Sequence, residues 1–543
     1  MPESIQAAIL TKALADIGDK YHTWKQSLQI LAVCSLWRTM CRSVVYKTAF
    51  VECRKLSQDG EAGPGCLPAP PVTRVLSNLH LISGISVSDI PTHMKLVTDT
   101  NKHAADVLEV CADIVRYSRV KLVNVRKITI ELNVWRYAER SSMYTFSEQK
   151  RAVSVAVSSL VQACPSIEAI ESSGASGSSL VNYVTSSLAS KYSDRLASIT
   201  SNAVLPVLDL NSCANITHLE TNISPLALPY ISTLPVEKLR YLCLNISIPR
   251  FPWELLAKEN QNTIVNFPRL SDLRVRYKSY DLDVSMRMLG KSIQAKEDPS
   301  TTRITCPVLE RLEMRCSSQD HVLQSSLQSL TSIRSLCLED TVTGLLYPRS
   351  IVLPSLQCIA IHTTYGVMNS SLNGDGVLVL NTLLQSMLLP PKVGLRIGCE
   401  VALDTPDDIR WDAVTDLTIA SFVDSRIMLK LLRCMPSLTR YQVNVETPDE
   451  NTYLNIVGEQ AAQNQPGIQH VLSTSLTHLR TYTRMFHTSE WHELEFAFAK
   501  YLVAGLPSLL QMTWPNIKFD KLFAFTKQNH HQYPHLRKLK ITP

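Results

Sequence analysis

The sequence predicts an α/β protein in which short parallel strands alternate with helices, preceded by a small helical segment. Three observations lead to this prediction. A short phrase of Pro and regularly spaced apolar residues recurs along most of the chain. Apolar residues at helical spacing precede several copies of the phrase. A stretch rich in Pro and Gly separates these copies from the first 56 residues.

The recurring phrase is Pro, any residue, an apolar residue, two residues, an apolar residue, one residue and a last apolar residue. Its final alternation predicts a short strand whose apolar side faces inward. Because Pro cannot continue a helix and biases the residue before it to extended geometry, it marks the corner from helix to strand. The phrase contains these prolines: Pro165, Pro268, Pro307, Pro354, Pro436, Pro507 and Pro534.

The spacing of the phrases suggests a repeat architecture. Residues 153–161, 427–432 and 491–501 have helical periodicity and precede three of the corners. Leu309, Ile333 and Leu356 begin successive phrases 24 and 23 residues apart. This period resembles that of the leucine-rich-repeat family. The resemblance implies an irregular solenoid over residues 73–543, with clear repeats from about residue 120, parallel strands inside and helices outside. An ordinary α/β sheet with helical crossovers is the alternative.

The first 56 residues predict a separate helical domain. Apolar residues recur at helical spacing from Ile5 to Ile17, and Gly18 ends that run. Residues 57–72 contain Gly60, Gly63, Pro64 and three further prolines, a composition that holds neither helix nor strand. We therefore predict a Pro/Gly linker at 57–72 between the helical domain at 1–56 and the repeats.

The N-terminal segment resembles the F-box family at its two ends. The start, 1–5 with Ile9 and Leu10, is similar to the family's Leu-Pro-x-Glu-Ile and Ile-Leu elements, and 33–38 reads Val-Cys-x-x-Trp-Arg. The resemblance implies binding to a Skp-family adaptor, and through it to a cullin ubiquitin ligase. The candidate adaptor-binding residues, by that match, are Pro2, Ile5, Ile9, Leu28, Val33 and Trp37. The alternative is that these residues form only a local three-helix core.

Composition restricts the class of protein. Lys and Arg total 54 against 48 Asp and Glu, and a net charge of +6 over 543 residues does not favour nucleic acid as a partner. The 14 cysteines include no CxxC pair, which indicates a reducing compartment and a cytoplasmic or nuclear location. The longest apolar run, 28–37, falls short of the ~20 residues that a spanning helix needs, so we expect no membrane association.

Motifs of catalysis are missing from the sequence. The Ser/Gly stretch at 174–178 lacks the G-x-S-x-G spacing of a nucleophile elbow, and no P-loop or dinucleotide-binding motif follows a strand. His530, His531 and His535 cluster without a neighbouring carboxylate or Cys. We therefore expect no catalytic residue, no metal site and no cofactor, and a protein that is not an enzyme.

The best candidates for binding are arginines on the inner face of the predicted solenoid. Arg274, Arg276 and Arg315 come from neighbouring repeats, and with Arg480 they would form a basic strip suited to an acidic peptide or a phosphate group. The alternative is that they are solvated sheet residues whose charges are offset by Glu313 and Glu339.

These observations favour a protein that works by binding other proteins. The order of an F-box-like segment followed by repeats implies the substrate-recognition subunit of an SCF-type ubiquitin ligase, which holds an unknown protein substrate. The alternative is a leucine-rich-repeat interaction scaffold whose N-terminal helices only cap the solenoid, since a solenoid end exposes its last apolar layer.

Overall fold

The structure of the protein is a computed structural model. It describes residues 46–55, 73–79, 82, 90–99, 112–117, 119–133, 146–174, 179–204, 210, 213–248, 250–257, 264–277, 302–315, 321–339, 351–362, 387–388, 392–397, 411–446, 454, 471–483, 489–514 and 519–542. Most of the F-box-like range, 1–45, and the linker, 57–72, lie outside the described residues. The chain divides into two compact units, and each is described by itself.

The first unit is built on one sheet. Its described strands are β1 (Thr48–Lys55), β2 (Thr73–Ser77), β3 (His93–Asp99), β4 (Lys127–Asn133), β5 (Ala169–Gly174), β6 (Ser198–Val204), β7 (His218–Ile223) and β8 (Tyr241–Ile246). They pair in the order β2-β1-β3-β4-β5-β6-β7-β8. Within this described part, β1 and β2 are antiparallel and the other pairs are parallel.

The sheet begins earlier in the chain than the repeats predicted. Residues 48–55, which the sequence analysis included in the helical domain, form β1. Ala49, Phe50 and Val51 are buried, so both faces of this strand are covered, and β2 and β3 pair with its two edges. The side chain of Asn78 fixes its start: Phe50 N donates to Asn78 Oδ1 at 2.9 Å, and Asn78 Nδ2 donates to Thr48 O at 2.9 Å.

The second unit is built on a longer parallel sheet. Its described strands are β9 (Ile264–Asn266), β10 (Asp272–Tyr277), β11 (Arg303–Thr305), β12 (Arg311–Arg315), β13 (Ser335–Glu339), β14 (Ile351–Val352), β15 (Cys358–His362), β16 (Met387–Leu388), β17 (Val393–Ile397), β18 (Val414–Asp424), β19 (Arg440–Glu446), β20 (His478–Thr483), β21 (Gln511–Thr513) and β22 (Lys540–Thr542). The main sheet has the order β10-β12-β13-β15-β17-β18-β19-β20-β21-β22, all parallel. Two further pairs of short strands, β9 with β11 and β14 with β16, are also parallel and are not part of the main sheet.

Helices connect some of the strands. The described α-helices are α1 (Phe146–Ala163) and α2 (Ser179–Lys191) in the first unit, and α3 (His321–Ser326), α4 (Ser425–Cys434), α5 (Ser489–Gly505) and α6 (Phe519–Asn529) in the second. Short 3-10 helices cover Pro225–Thr233, Trp253–Leu256, Leu327–Ser329 and Pro534–Arg537. α2 packs against β5 and β6, and α4 packs against β18 and β19. The helices that the sequence predicted before Pro165, Pro436 and Pro507 are confirmed as α1, α4 and α5.

The core is a set of apolar rows that cross the strands in register. In the second unit one row runs across all ten strands of the main sheet and every member is buried: Leu273, Leu312, Leu336, Ile359, Leu395, Leu417, Tyr441, Leu479, Met512 and Ile541. The first unit has a similar buried row: Met94, Ile128, Ile170, Ile199, Leu219 and Leu242. The α/β class and the inward apolar side of the strands are therefore confirmed. The side chains between them form an outer, polar side of each sheet.

Candidate binding faces

The polar side of the main sheet in the second unit is the candidate site. We call it the open face and define it by the outward residues of its strands. These residues are Asp272, Arg274, Arg276, Arg311, Glu313, Arg315, Ser335, Cys337, Cys358, Ala360, Gly394, Arg396, Asp416, Thr418, Phe422, Arg440, Gln442, Asn444, His478, Arg480, Tyr482, Gln511, Thr513, Lys540 and Thr542. Each is half-buried or exposed, because alternate side chains of a strand lie on opposite sides of the sheet.

The structure brings three of the four predicted arginines together. β10 and β12 are paired so that Arg276 lies opposite Arg315, and Arg274 lies opposite Glu313. The Nε and Nη2 atoms of Arg274 each lie 3.1 Å from one carboxylate oxygen of Asp272. Arg276 Nε donates to Glu313 Oε1 at 2.6 Å, and Arg274 Nε lies 3.7 Å from Glu313 Oε2.

The charges of this arginine group are largely compensated within the face. Arg311 Nη1 also lies 3.6 Å from Asp272, so three guanidinium groups share two carboxylates. The Glu313 side chain is only 15% exposed, and ion pairs in such a half-buried position are screened less than exposed ones. Arg315 is in register with Glu339 on β13. The distances therefore agree with the alternative in which acidic neighbours offset these arginines.

Arg480 lies elsewhere on the open face. It belongs to β20, and five strands separate β20 from β12 in the sheet order. Strands in a sheet are ~4.8 Å apart, so about 29 Å separates Arg480 from the arginine group. The guanidinium carbon of Arg480 lies 5.0 Å from the centre of the Tyr482 ring. The four arginines thus form one group of three and one separate residue, not a continuous strip.

Two further residues of the open face were missed by the sequence analysis. Arg396 on β17 is exposed and lies in the same cross-strand row as Arg480. Phe422 on β18 is an exposed aromatic residue in the same sheet. Neither follows the Pro-based phrase closely enough to be placed by it. The signal that could have found Phe422 is a large apolar residue at an outward position of an otherwise alternating strand.

On the polar side of the sheet in the first unit, side chains of neighbouring strands form hydrogen bonds and an ion pair with one another. Lys127 Nζ lies 2.5 Å from Glu171 Oε2, and Thr129 Oγ1 donates to the same oxygen at 3.1 Å. Since the Thr129 proton is used there, the His93 Nε2–H donates to Thr129 Oγ1, at 2.8 Å. Burial raises the pKa of Glu171, but the hydrogen bond and charge of Lys127 lower it, and the pKa lies below its ordinary value. These contacts cross-link β3, β4 and β5 rather than present an uncompensated group.

The predicted adaptor-binding residues cannot be placed in the same way. Pro2, Ile5, Ile9, Leu28, Val33 and Trp37 all lie outside the described residues.

Within the described ranges, no set of three His, Cys, Asp or Glu side chains is grouped so as to hold a metal ion. No helix in the same ranges has the length and apolar character needed to cross a membrane.

Neither a protein-family model nor a curated protein sequence matches this chain. The observations that bear on function are therefore the sequence patterns and the strand pairing within each unit.

Proposed function

We propose that this chain is the substrate-recognition subunit of an SCF-type ubiquitin ligase and acts by binding proteins, without catalysis. In this proposal the F-box-like segment binds a Skp-family adaptor and thereby a cullin ligase. The parallel sheet is the inner surface of an irregular leucine-rich-repeat solenoid, and its open face holds the substrate. Arg274, Arg276, Arg315 and Arg480 belong to that face.

One observation carries the substrate-binding half of the proposal. The main sheet of the second unit pairs ten strands in parallel and places one buried row behind an outward polar side. An outward face of ten paired strands offers many side chains to a protein partner and needs no reactive group. The Val-Cys-x-x-Trp-Arg element at 33–38 supports the adaptor-binding half.

Co-purification with a purified Skp-family adaptor tests this function. Replacing Ile5 and Ile9 together with Asp is expected to abolish adaptor binding, because two carboxylates would then be buried in an apolar contact. The matched control is Phe523→Asp on α6, which adds a charge at a position already 42% exposed and should leave adaptor binding unchanged.

The outcomes separate the two functions that the sequence allows. A full-length protein that does not capture the adaptor contradicts the ligase function and leaves the interaction scaffold with capping N-terminal helices. A double variant that keeps the wild-type circular dichroism spectrum and still captures the adaptor contradicts the assigned docking residues.

A further inference from the structure

The carboxyl ends of β18, β19 and β20 carry a row of two aromatic rings with an amide between them. Phe422, Asn444 and Tyr482 are in register across the three strands. Phe422 is 41% exposed, while Asn444 and Tyr482 are half-buried. With strands ~4.8 Å apart, the two aromatic residues lie about 10 Å from each other at their Cα atoms, a distance that one flat or apolar side chain placed over Asn444 spans.

A bulge in β18 accompanies this row. The register shifts between Ile419 and Phe422, so that Ala420 and Ser421 have no opposite residue on β19. Asn444 Nδ2 donates to Ala420 O at 2.5 Å, which pairs a carbonyl that the bulge removes from the ladder. Asn444 therefore fixes the bulge that sets Phe422 opposite it. Bulges are more frequent beside functional sites than elsewhere in sheets.

The charge beside the aromatic row differs from that of the arginine group. Arg480 stacks on Tyr482, and a guanidinium on an aromatic face keeps its N–H donors available at its edge. Arg396 lies three strands away in the same row and is also exposed. In the part of the chain that the structure describes, neither Arg396 nor Arg480 forms an ion pair with a carboxylate, whereas Arg274 and Arg276 both do.

We propose that Arg396, Phe422, Asn444, Arg480 and Tyr482 form a binding site for an extended acidic peptide segment of the substrate. We call these five residues the aromatic-arginine site. Arg396 and Arg480 bind carboxylates of the peptide, and an apolar or aromatic side chain of the peptide inserts between Phe422 and Tyr482. Tyr and Arg are among the residue types that most often carry the binding energy of a protein interface.

The spacing of the two arginines specifies the peptide further. Three strand separations of ~4.8 Å place Arg396 and Arg480 about 14 Å apart. An extended chain rises ~3.3 Å per residue, so two acidic residues about four positions apart reach both guanidinium groups. The residue that enters between the rings lies between those acidic residues. The proposal rests on the proposed function in that it takes the open face as the half of the protein that holds the substrate.

A peptide-binding experiment on the full-length protein tests the site without any adaptor. The probe is a pool of synthetic peptides with Asp fixed at two positions four residues apart and all other positions randomised. The reference pool has Lys at the two fixed positions. The immobilised protein is expected to retain the Asp pool several-fold more than the Lys pool, with aromatic and large apolar residues enriched between the aspartates, and added salt should reduce the retention.

Variants then connect that binding to the named residues. Phe422→Ala and Arg480→Glu are each expected to lower retention of the Asp pool about tenfold. Arg480→Gln removes the charge without reversing it and should show the same direction of change. Two matched controls should stay within about twofold: Phe523→Ala, at an exposed Phe of similar accessibility, and Arg433→Glu, which reverses the charge of an exposed arginine on α4, outside the open face.

Several results would overturn the proposal. Equal retention of the two pools, including no retention of either, shows that the face does not select acidic peptides. An effect of Arg433→Glu equal to that of Arg480→Glu shows only a general charge effect. Because no adaptor is present, these results are distinguishable from a failure of adaptor co-purification.

Discussion

Tyr192 and Tyr441 are two buried tyrosines in different polar environments. The Tyr192 hydroxyl donates to the Cys164 carbonyl oxygen at 2.8 Å. The Tyr441 hydroxyl is buried and has no hydrogen-bond partner among the described residues. Burial raises the pKa of both side chains, so both remain neutral over the ordinary pH range. The two residues thus separate the contribution of a hydrogen bond from that of burial.

Replacing each tyrosine with Phe should have opposite consequences. Tyr192→Phe is expected to lower the free energy of unfolding by about 1–2 kcal/mol, because the Cys164 carbonyl loses its donor. Tyr441→Phe is expected to leave that free energy unchanged or to raise it by up to about 1 kcal/mol, because it removes a desolvated hydroxyl that gains no bond. Urea unfolding followed by circular dichroism measures both. Equal destabilisation by the two substitutions would contradict the assignment of the Tyr441 environment.

At the scale of elements, α2 packs closely against the end of β5. Gly174 ends β5, and a Cβ atom there would lie 2.6 Å from Val181 Cγ2 and 2.7 Å from the Leu132 carbonyl oxygen. Behind this contact, Ser172 Oγ is hydrogen-bonded to Thr185 Oγ1 and to Ser201 Oγ, each at 2.6 Å. These buried bonds connect α2 to β5 and β6, so the helix has little freedom to move away.

Gly174→Ala is therefore expected to destabilise the protein by about 1–3 kcal/mol, since backbone or helix must shift to accept one methyl group. Gly394 on β17 is the matched control, because a Cβ atom there would lie 3.4 Å from its nearest neighbour, the Gln357 carbonyl oxygen. Gly394→Ala should change stability by no more than about 0.5 kcal/mol. Thermal and urea unfolding measure both variants, and equal effects would contradict the close helix approach.

Most of the strands could be predicted from the sequence, but their edges and irregularities could not. Leu270, Leu273 and Val275 belong to one phrase, and the strand found there, β10, buries all three. β1 was missed because its buried residues Ala49, Phe50 and Val51 are consecutive and follow neither the phrase nor a strict alternation. Alternating apolar residues indicate a strand that is buried on one side. A strand whose buried residues do not alternate, such as β1, gives no such signal.

The candidate site could be predicted only in part, because its properties depend on register. The sequence placed Arg274, Arg276 and Arg315 on one face, and the pairing of β10 with β12 brings them close together. The sequence could not show that Arg274 and Asp272 form a two-pronged contact, since that depends on side-chain geometry within the strand. The pairing of Phe422 with Asn444 depends on the bulge in β18, which no local pattern indicates.

At the scale of the whole molecule, each unit contains a deeply buried thiol. Cys164 lies in the first unit and Cys306 in the second, and burial raises the pKa of each thiol to about 12. The seven cysteines whose side chains the structure describes are all free thiols. Cys337 and Cys358 are half-buried on the open face. The thiolate is the reactive species, so the folded protein should protect the two buried thiols.

Alkylation by iodoacetamide at about pH 8 is expected to modify Cys337 and Cys358 well before Cys164 and Cys306, because roughly one in ten thousand thiols of pKa about 12 is ionised there. Peptide mass spectrometry gives the rate at each site. The control is the same reaction in urea, where unfolding should make the four rates similar. Modification of Cys164 or Cys306 in the folded protein at the rate of Cys358 would contradict the burial of that unit's core.

The bulge in β18 adds two residues, Ala420 and Ser421, and therefore an even number. Successive side chains of a strand alternate between its sides, so an even insertion preserves the facing of everything after it, and an odd one would invert it. Val423 consequently remains in the core, and Asp424 still accepts from Arg426 N at the start of α4. A change of two residues in the length of β18 would therefore alter the shape of the open face, and the same side chains of β18 after the bulge would stay buried. A change of one residue would exchange Phe422 with Val423 across the sheet.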